Sequence, residues 1–121
     1  MAQVGIIRHP TIEWTHCSPD GLIGETGLVE IKAPNSATHI ETLRSLKIPE
    51  RYVTQCLWQM ACTGREWCDF VSYDDRLPVA MQLFVKRLDR DDKRIAELEK
   101  QVAEFLAEVD AAVSDLLGRY S

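Results

Sequence analysis

A chain of 121 residues, 45% apolar and 27% charged, has an ordinary globular composition and can bury roughly two thirds of its unfolded surface in one core. Its 14 basic and 19 acidic residues leave a net charge of −5, which excludes binding through a broad basic surface and restricts any nucleic-acid contact to local cations such as Arg44, Lys47, Arg51 and Arg65. With no signal-peptide pattern and no apolar run near roughly 18 residues, no membrane partner is expected, and a reducing, cytoplasmic setting is.

Met1 to Ile7 reads as an extended lead-in that His9-Pro10 interrupts, and Ile12 to His16 as the first strand of a hairpin. Ser18-Pro19-Asp20-Gly21-Leu22 is turn chemistry: Pro19 presets φ, Asp20 bonds nearby backbone and Gly21 permits positive φ. Gly24 and Gly27 bracket a short loop. Leu28-Val29-Glu30-Ile31-Lys32 alternates in character and is rich in β-branched residues, as a strand requires. After Pro34, Asn35 or Ser36 caps a helix reaching about Ser45. Pro49 sits at the first turn of the next helix, which runs to Thr63 and stops at Gly64. Glu66 to Tyr73 and Val79 to Leu88 read as two strands joined by the Asp74-Asp75-Arg76-Leu77-Pro78 turn.

The last helix is expected from Asp89 to Gly118, with Asp91 and Asp92 favouring its N-terminal dipole. Ile95, Leu98, Val102, Phe105, Val109, Ala112 and Leu116 follow alternating spacings of three and four, an a/d seam held for about three heptads. Such a seam serves pairing between subunits or packing on the same chain. The order of elements predicts one α/β domain over 1–121, a mixed β-sheet flanked by helices with a long C-terminal amphipathic helix.

The chemistry concentrates in the second predicted strand. Glu30 and Lys32 are two apart, so both side chains leave the same face. If Asp20 ends the preceding strand and the two segments pair as a hairpin, its carboxylate approaches that of Glu30. Two carboxylates about 4 Å apart repel by roughly 4 kcal/mol at an effective dielectric near 20, so the arrangement needs a cation. A hard divalent ion suits it, Mg²⁺ or Mn²⁺ in its place, with waters and phosphate oxygens completing the shell. Lys32 then acts as a point charge on a phosphate or holds the attacking water. Each feature alone also has a plain reading: Pro-Asp-Gly as a turn, Glu30 with Lys32 as a surface pair worth well under about 1 kcal/mol.

Other reactive residues point elsewhere. Cys17, Cys56, Cys62 and Cys68 form no C-x-x-C pair, and the six-residue step from Cys56 to Cys62 turns about 240° around a helix, so free, mostly buried thiols are expected. His9, His16 and His39 lack metal spacing and read as surface or satisfied core residues. Ser18 has no G-x-S-x-G context for a hydrolase nucleophile. Trp14, Trp58 and Trp67 are all able to stack on bases, though core packing suits Trp58 and Trp67 better.

The order Asp20, then Glu30-Ile31-Lys32, resembles the PD-(D/E)XK nucleases. The longer string CSPDGLIGETGLVEIKAP, residues 17–34, resembles the phage-type subgroup that holds bacteriophage lambda exonuclease and the YqaJ recombinases. Downstream, Tyr52-Val53-Thr54-Gln55 followed by Trp58-Gln59-Met60 is similar to the family's Y-x-x-Q helix, and TGREWCDFVSYDDRL is similar to the segment beyond it. The resemblance implies a restriction-endonuclease-like core in which Asp20 and Glu30 bind the metal with the Ile31 carbonyl as a third ligand. It implies that Lys32 is the catalytic lysine and that Gln55 orients Lys32 or the nucleophilic water. Tyr52 and Gln59, three before and four after Gln55, share its helical face and with Ser18 are supporting residues of the cleft.

As activity, the resemblance implies a Mg²⁺-dependent DNA exonuclease that digests one strand of duplex DNA from the 5′ end and releases 5′-mononucleotides. The 3′ overhang would pass to a single-strand annealing protein, and the enzyme would be a homo-oligomer, a ring trimer. Family members are typically longer, with an N-terminal helical portion before the SPDG hairpin, whereas nineteen residues precede Asp20 here; a truncated or minimal nuclease core is therefore expected. Two rival roles stand beside the exonuclease: a non-catalytic interaction or oligomerisation domain acting through Asp89 to Gly118, and a structure-specific endonuclease of the same superfamily.

Overall fold

The computed structural model describes residues 5–120, and the chain divides into two compact units, 1–91 and 92–121. The first begins with a small antiparallel ribbon, β1 (Ile7–Arg8) against β2 (His16–Cys17). A hairpin follows, β3 (Gly21–Ile23) and β4 (Gly27–Lys32), then helices α1 (Ser36–Ser45) and α2 (Glu50–Thr63), and strands β5 (Trp67–Tyr73) and β6 (Leu83–Asp89). The main sheet has the order β3-β4-β5-β6. Its outer pairs are antiparallel and the central β4–β5 pair is parallel, so the sheet is mixed, as expected. A parallel pair needs a long crossover, and α1 and α2 supply it.

Alternation along the strands decides where those helices go. Leu28 and Glu30 of β4, Cys68, Phe70 and Ser72 of β5 and Phe84 of β6 share one face and are buried. Val53, Cys56, Leu57 and Met60 of α2 are buried with them, each large apolar side chain contributing about 1.5–3 kcal/mol. Ile31, Tyr73, Leu83 and Val85 emerge on the opposite face and are exposed. Arg87 there pairs with Asp69 at 2.8 Å and lies 3.6 Å from the centre of the Trp67 ring.

The helix ends follow local chemistry. Asn35 caps α1 by accepting the Thr38 N–H at 2.8 Å. Pro49 stands as the N-cap of α2 rather than inside its first turn. Gly64, at φ 72°, closes that helix with its N–H on the Met60 carbonyl at 2.9 Å, a left-handed conformation that glycine adopts without penalty.

Four further expectations change. Ile12 to His16 is not the hairpin's first strand: only His16–Cys17 is extended, and it pairs with β1. The reason is His9, whose buried Nδ1 accepts the N–H groups of Thr11 and Ile12 at 3.1 and 3.0 Å. Thr15 Oγ1 also donates to the Ile12 carbonyl at 2.7 Å, so residues 9–15 satisfy their polar groups as a loop. Asp20 likewise precedes β3 instead of ending a strand. Val79–Met81 is a 3₁₀ turn behind Pro78, and the strand begins at Leu83. Asp89 closes β6 opposite Trp67, which delays the last helix to Asp92. Of the expected lead-in, Met1 to Val4 lies outside the described residues.

The second unit is α3 (Asp92–Tyr120), 29 residues long, carrying the a/d seam and two exposed i,i+4 ion pairs, Lys100–Glu104 and Arg119–Asp115. Such pairs add about 0.3–0.5 kcal/mol each. No helix among the described residues is long and apolar enough to cross a membrane.

Two buried polar clusters tie α1 to the far end of β5. His39 of α1 is fully buried; its Nε2 lies 2.8 Å from the Met81 carbonyl and its Nδ1 2.7 Å from Ser72 Oγ. A carbonyl only accepts, so Nε2 carries the hydrogen and Nδ1 takes the Ser72 hydroxyl. Buried Asp74 accepts from Ser36 Oγ at 2.6 Å and from Arg76 Nε at 2.8 Å. Arg76 above all, with Ser36, holds the Asp74 carboxyl well below the usual carboxylate range. A carboxylate whose folded value is depressed stabilises the fold above its unfolded value, 3.8, and loses that contribution as pH falls further. Asp74→Asn is therefore expected to be less stable than the parent at pH 7, with the gap narrowing as pH drops below about 4, measured by urea unfolding across that range.

Candidate active site

The hairpin brings the acidic residues together. Its register pairs Gly21 with Val29, Leu22 with Leu28 and Ile23 with Gly27, and one further step sets Asp20 opposite Glu30. The Asp20 carboxylate accepts the Ile31 N–H at 2.7 Å through Oδ2, which fixes it beside the Glu30–Ile31 peptide. Gly27 lets the strand fit: a Cβ there would lie 2.1 Å from the Trp67 indole, so only glycine allows the ring to cover the start of β4.

Glu30 is only 6% exposed, and a buried carboxylate is costly unless paired and hydrogen-bonded. Both of its oxygens are engaged. Lys32 Nζ lies 3.0 Å from Oε1, as two residues on one strand face permit, and the Gln59 side-chain amide of α2 donates to Oε2. Lys32 Nζ also sits 5.3 Å from the centre of the Tyr52 ring. That ring stacks on Phe70 at 5.4 Å, carries the Arg51 guanidinium at 4.7 Å, and its hydroxyl accepts from Arg51 at 3.0 Å.

The structure thus gathers Asp20, Glu30, Lys32, Tyr52 and Gln59. Ser18 is exposed two residues before Asp20, and the Ile31 backbone adjoins the Asp20 carboxylate. Gln55 is exposed one helical turn before Gln59, and its amide bonds neither Glu30 nor Lys32 among the described residues. The amide that meets Glu30 is that of Gln59. The Arg51–Tyr52 contact had no signal in the sequence, because consecutive helix residues do not ordinarily face each other.

The donor set is made of oxygen. Among the described residues no three of His, Cys, Asp or Glu converge as a metal group. The Asp20 and Glu30 carboxylates suit a hard cation that keeps most of its waters, and lack the thiolate or imidazole that zinc prefers. Gln59 Oε1 is buried with no hydrogen-bond partner among the described residues; this acceptor beside Glu30 fits a site whose remaining ligands are water.

Beneath the carboxylate lies sulfur. All four cysteines are buried, and none forms a disulfide among the described residues. Burial pushes the Cys17 thiol up, a hydrogen bond with Cys62 opposes this, and the charge of Glu30 adds to the rise. A hydrogen bond with Cys56 raises Cys68, followed by burial and, more weakly, the fields of Glu30 and Asp69.

The family model described as YqaJ-like viral recombinase domain matches residues 1–66, more than half of the chain. Solved structures that match include an alkaline exonuclease (LHK-Exo) from Laribacter hongkongensis and LHK-Exo in complex with dAMP, each with a TM-score of 0.93 and 57% identity. Each match covers 95% of this chain and 59% of the solved one, so this chain spans about three fifths of the relative's length. No curated protein gives a significant match.

Because all four cysteines are buried and a thiol must reach the reagent to be attacked, none is expected to react with Ellman's reagent at pH 8 in the folded protein. All four are expected to react once denaturant is added, read as absorbance at the two conditions.

Proposed function

The chain belongs to the YqaJ-like viral recombinase family, and from that premise we propose that it is the core of a Mg²⁺-dependent deoxyribonuclease, an exonuclease acting 5′ to 3′ on ends of duplex DNA. The observation that carries this reading is the buried Glu30 carboxylate clamped between Lys32 and Gln59, with Asp20 opposite it across the hairpin. The alkaline exonuclease similarity supports it, as does that relative's complex with dAMP, since a nucleoside monophosphate is the product such cleavage releases.

Asp20, Glu30 and the Ile31 carbonyl would hold the ion. When bound, Mg²⁺ supplies Lewis-acid polarisation of a phosphoryl oxygen and a lowered pKa for water. The rest falls to the chain's own groups. Lys32 Nζ, tethered by Glu30 and resting by the Tyr52 ring, presents a cation to the scissile phosphate and can exchange a proton with the attacking water. Gln59 keeps Glu30 from rotating. Gln55, exposed on the same helix, is available to orient the nucleophile, and Ser18 and Tyr52 line the approach. The remaining 3′-ended strand is the material that a single-strand annealing protein would take up, and a homo-oligomer would keep the enzyme on its DNA.

The test is release of acid-soluble nucleotide from 5′-phosphorylated linear duplex DNA with Mg²⁺. Glu30→Ala and Lys32→Ala are each expected to lower the rate at least about 100-fold, in the range of lost electrostatic groups in active sites. A folded parent that binds Mn²⁺ without cleaving would overturn the reading of this chain as a self-sufficient core. Gln59→Leu is expected to weaken Mn²⁺ binding by about 10- to 100-fold, the usual loss when a ligand's supporting partner goes, measured by isothermal titration.

A further inference from the structure

The ribbon before the hairpin carries a feature the cleavage chemistry does not use. Trp14 is 91% exposed and sits at φ 67°, a left-handed conformation seldom adopted by a bulky residue. Its loop is not slack. His9 stacks on Trp58 with ring centres 5.2 Å apart and holds two loop N–H groups, and Trp58 Nε1 donates to the His16 carbonyl at 3.0 Å. Trp58 adjoins Gln59 on α2, so the helix that clamps Glu30 also anchors the loop that presents Trp14.

Along the chain from Trp14 to Asp20, exposure alternates: Trp14, His16, Ser18 and Asp20 are exposed while Cys17 and Pro19 are buried. Arg8 lies directly across the ribbon from His16, and cross-strand partners share a face. Ile6, Arg8, Trp14, Thr15 and His16 line one recess of about 340 Å³. An exposed aromatic ring, a guanidinium and an imidazole thus lead by way of Ser18 to the acidic site. Six residues span at most about 20 Å, the length of about six stacked nucleotides at 3.4 Å per phosphate.

We propose that this strip is a single-strand nucleic-acid track that holds the uncleaved 3′-ended strand, left unpaired by digestion, a few nucleotides from the scissile bond. Trp14 stacks on a base, and Arg8 and His16 contact the flanking phosphates. Aromatic platforms beside backbone-tracking cations are how single strands are held without sequence preference. The Arg8 guanidinium matters because the chain as a whole is acidic, and the charge of Glu13 in the same loop opposes phosphate on its own side. The proposal rests on the nuclease reading for its placement but has a separate test.

That test is fluorescence anisotropy of a labelled single-stranded dT oligonucleotide with the full chain in EDTA, where nothing is cleaved. Trp14→Ala is expected to weaken binding about 5- to 100-fold, the cost of one lost stacking contact, with Trp14→Phe retaining most of the affinity. Arg8→Ala should lower the slope of log affinity against log salt by about 1, and Glu13→Gln should tighten binding. Unchanged dT affinity in both Trp14→Ala and Arg8→Ala, with parental DNA cleavage intact, overturns the track and leaves the nuclease reading standing. A Trp14-sensitive affinity in a parent that cleaves nothing supports the track and removes the nuclease reading. Unchanged affinity accompanied by a shift in sedimentation of Trp14→Ala marks the ring as a protein contact and also overturns the proposal.

Discussion

A carboxylate buried on the helix-covered face of a sheet is the constraint around which this chain is arranged. Glu30 occupies a position where alternation calls for a hydrophobe, between Leu28 and the neighbouring Phe70. Unpaired, its charge would oppose folding by several kcal/mol. The fold answers from two directions: Lys32 from the same strand and Gln59 from the crossover helix. A third element, the turn before β3, brings a second carboxylate that spends one oxygen on backbone. A group held at such cost on so many supports is a candidate for chemistry rather than for stability.

The topology explains why the supports reach it. A parallel β4–β5 pair obliges the chain to leave the sheet and return, and the returning helix lies over the face that carries Glu30 and Phe70. Tyr52 and Gln59, seven residues apart on α2, thereby land on one side of it, with Tyr52 stacked on Phe70 and Gln59 on Glu30. His39 and Asp74 hold the far end of the sheet to α1 and its preceding loop, so the crossover is pinned at its α1 end by satisfied polar groups.

The same helix serves a second purpose through Trp58. By taking the His16 carbonyl and stacking on His9, it fastens the β1–β2 ribbon to the element that carries Gln59. The ribbon and the acidic site are thus both fastened to one helix.

What the sequence determined by itself was everything written within a few residues. The Asn35 cap, the Gly64 stop, the extended Leu28–Lys32 segment and the shared face of Glu30 and Lys32 all follow from local torsions and side-chain reach. The string from Cys17 to Pro34 was specific enough to place the family. Local reading failed where a distant or competing partner intervened: His9 turned Ile12–His16 into a loop, and Trp67 drew Asp89 into the sheet. Tertiary structure alone decided the strand order, the burial of Glu30 and the choice of Gln59 over Gln55 as its partner. Those contacts join residues 29 apart in the case of Glu30 and Gln59, and they exist only once loop closure and core packing have set the angle at which the helix meets the sheet. No pattern along the chain encodes which of two glutamines one turn apart will face the carboxylate.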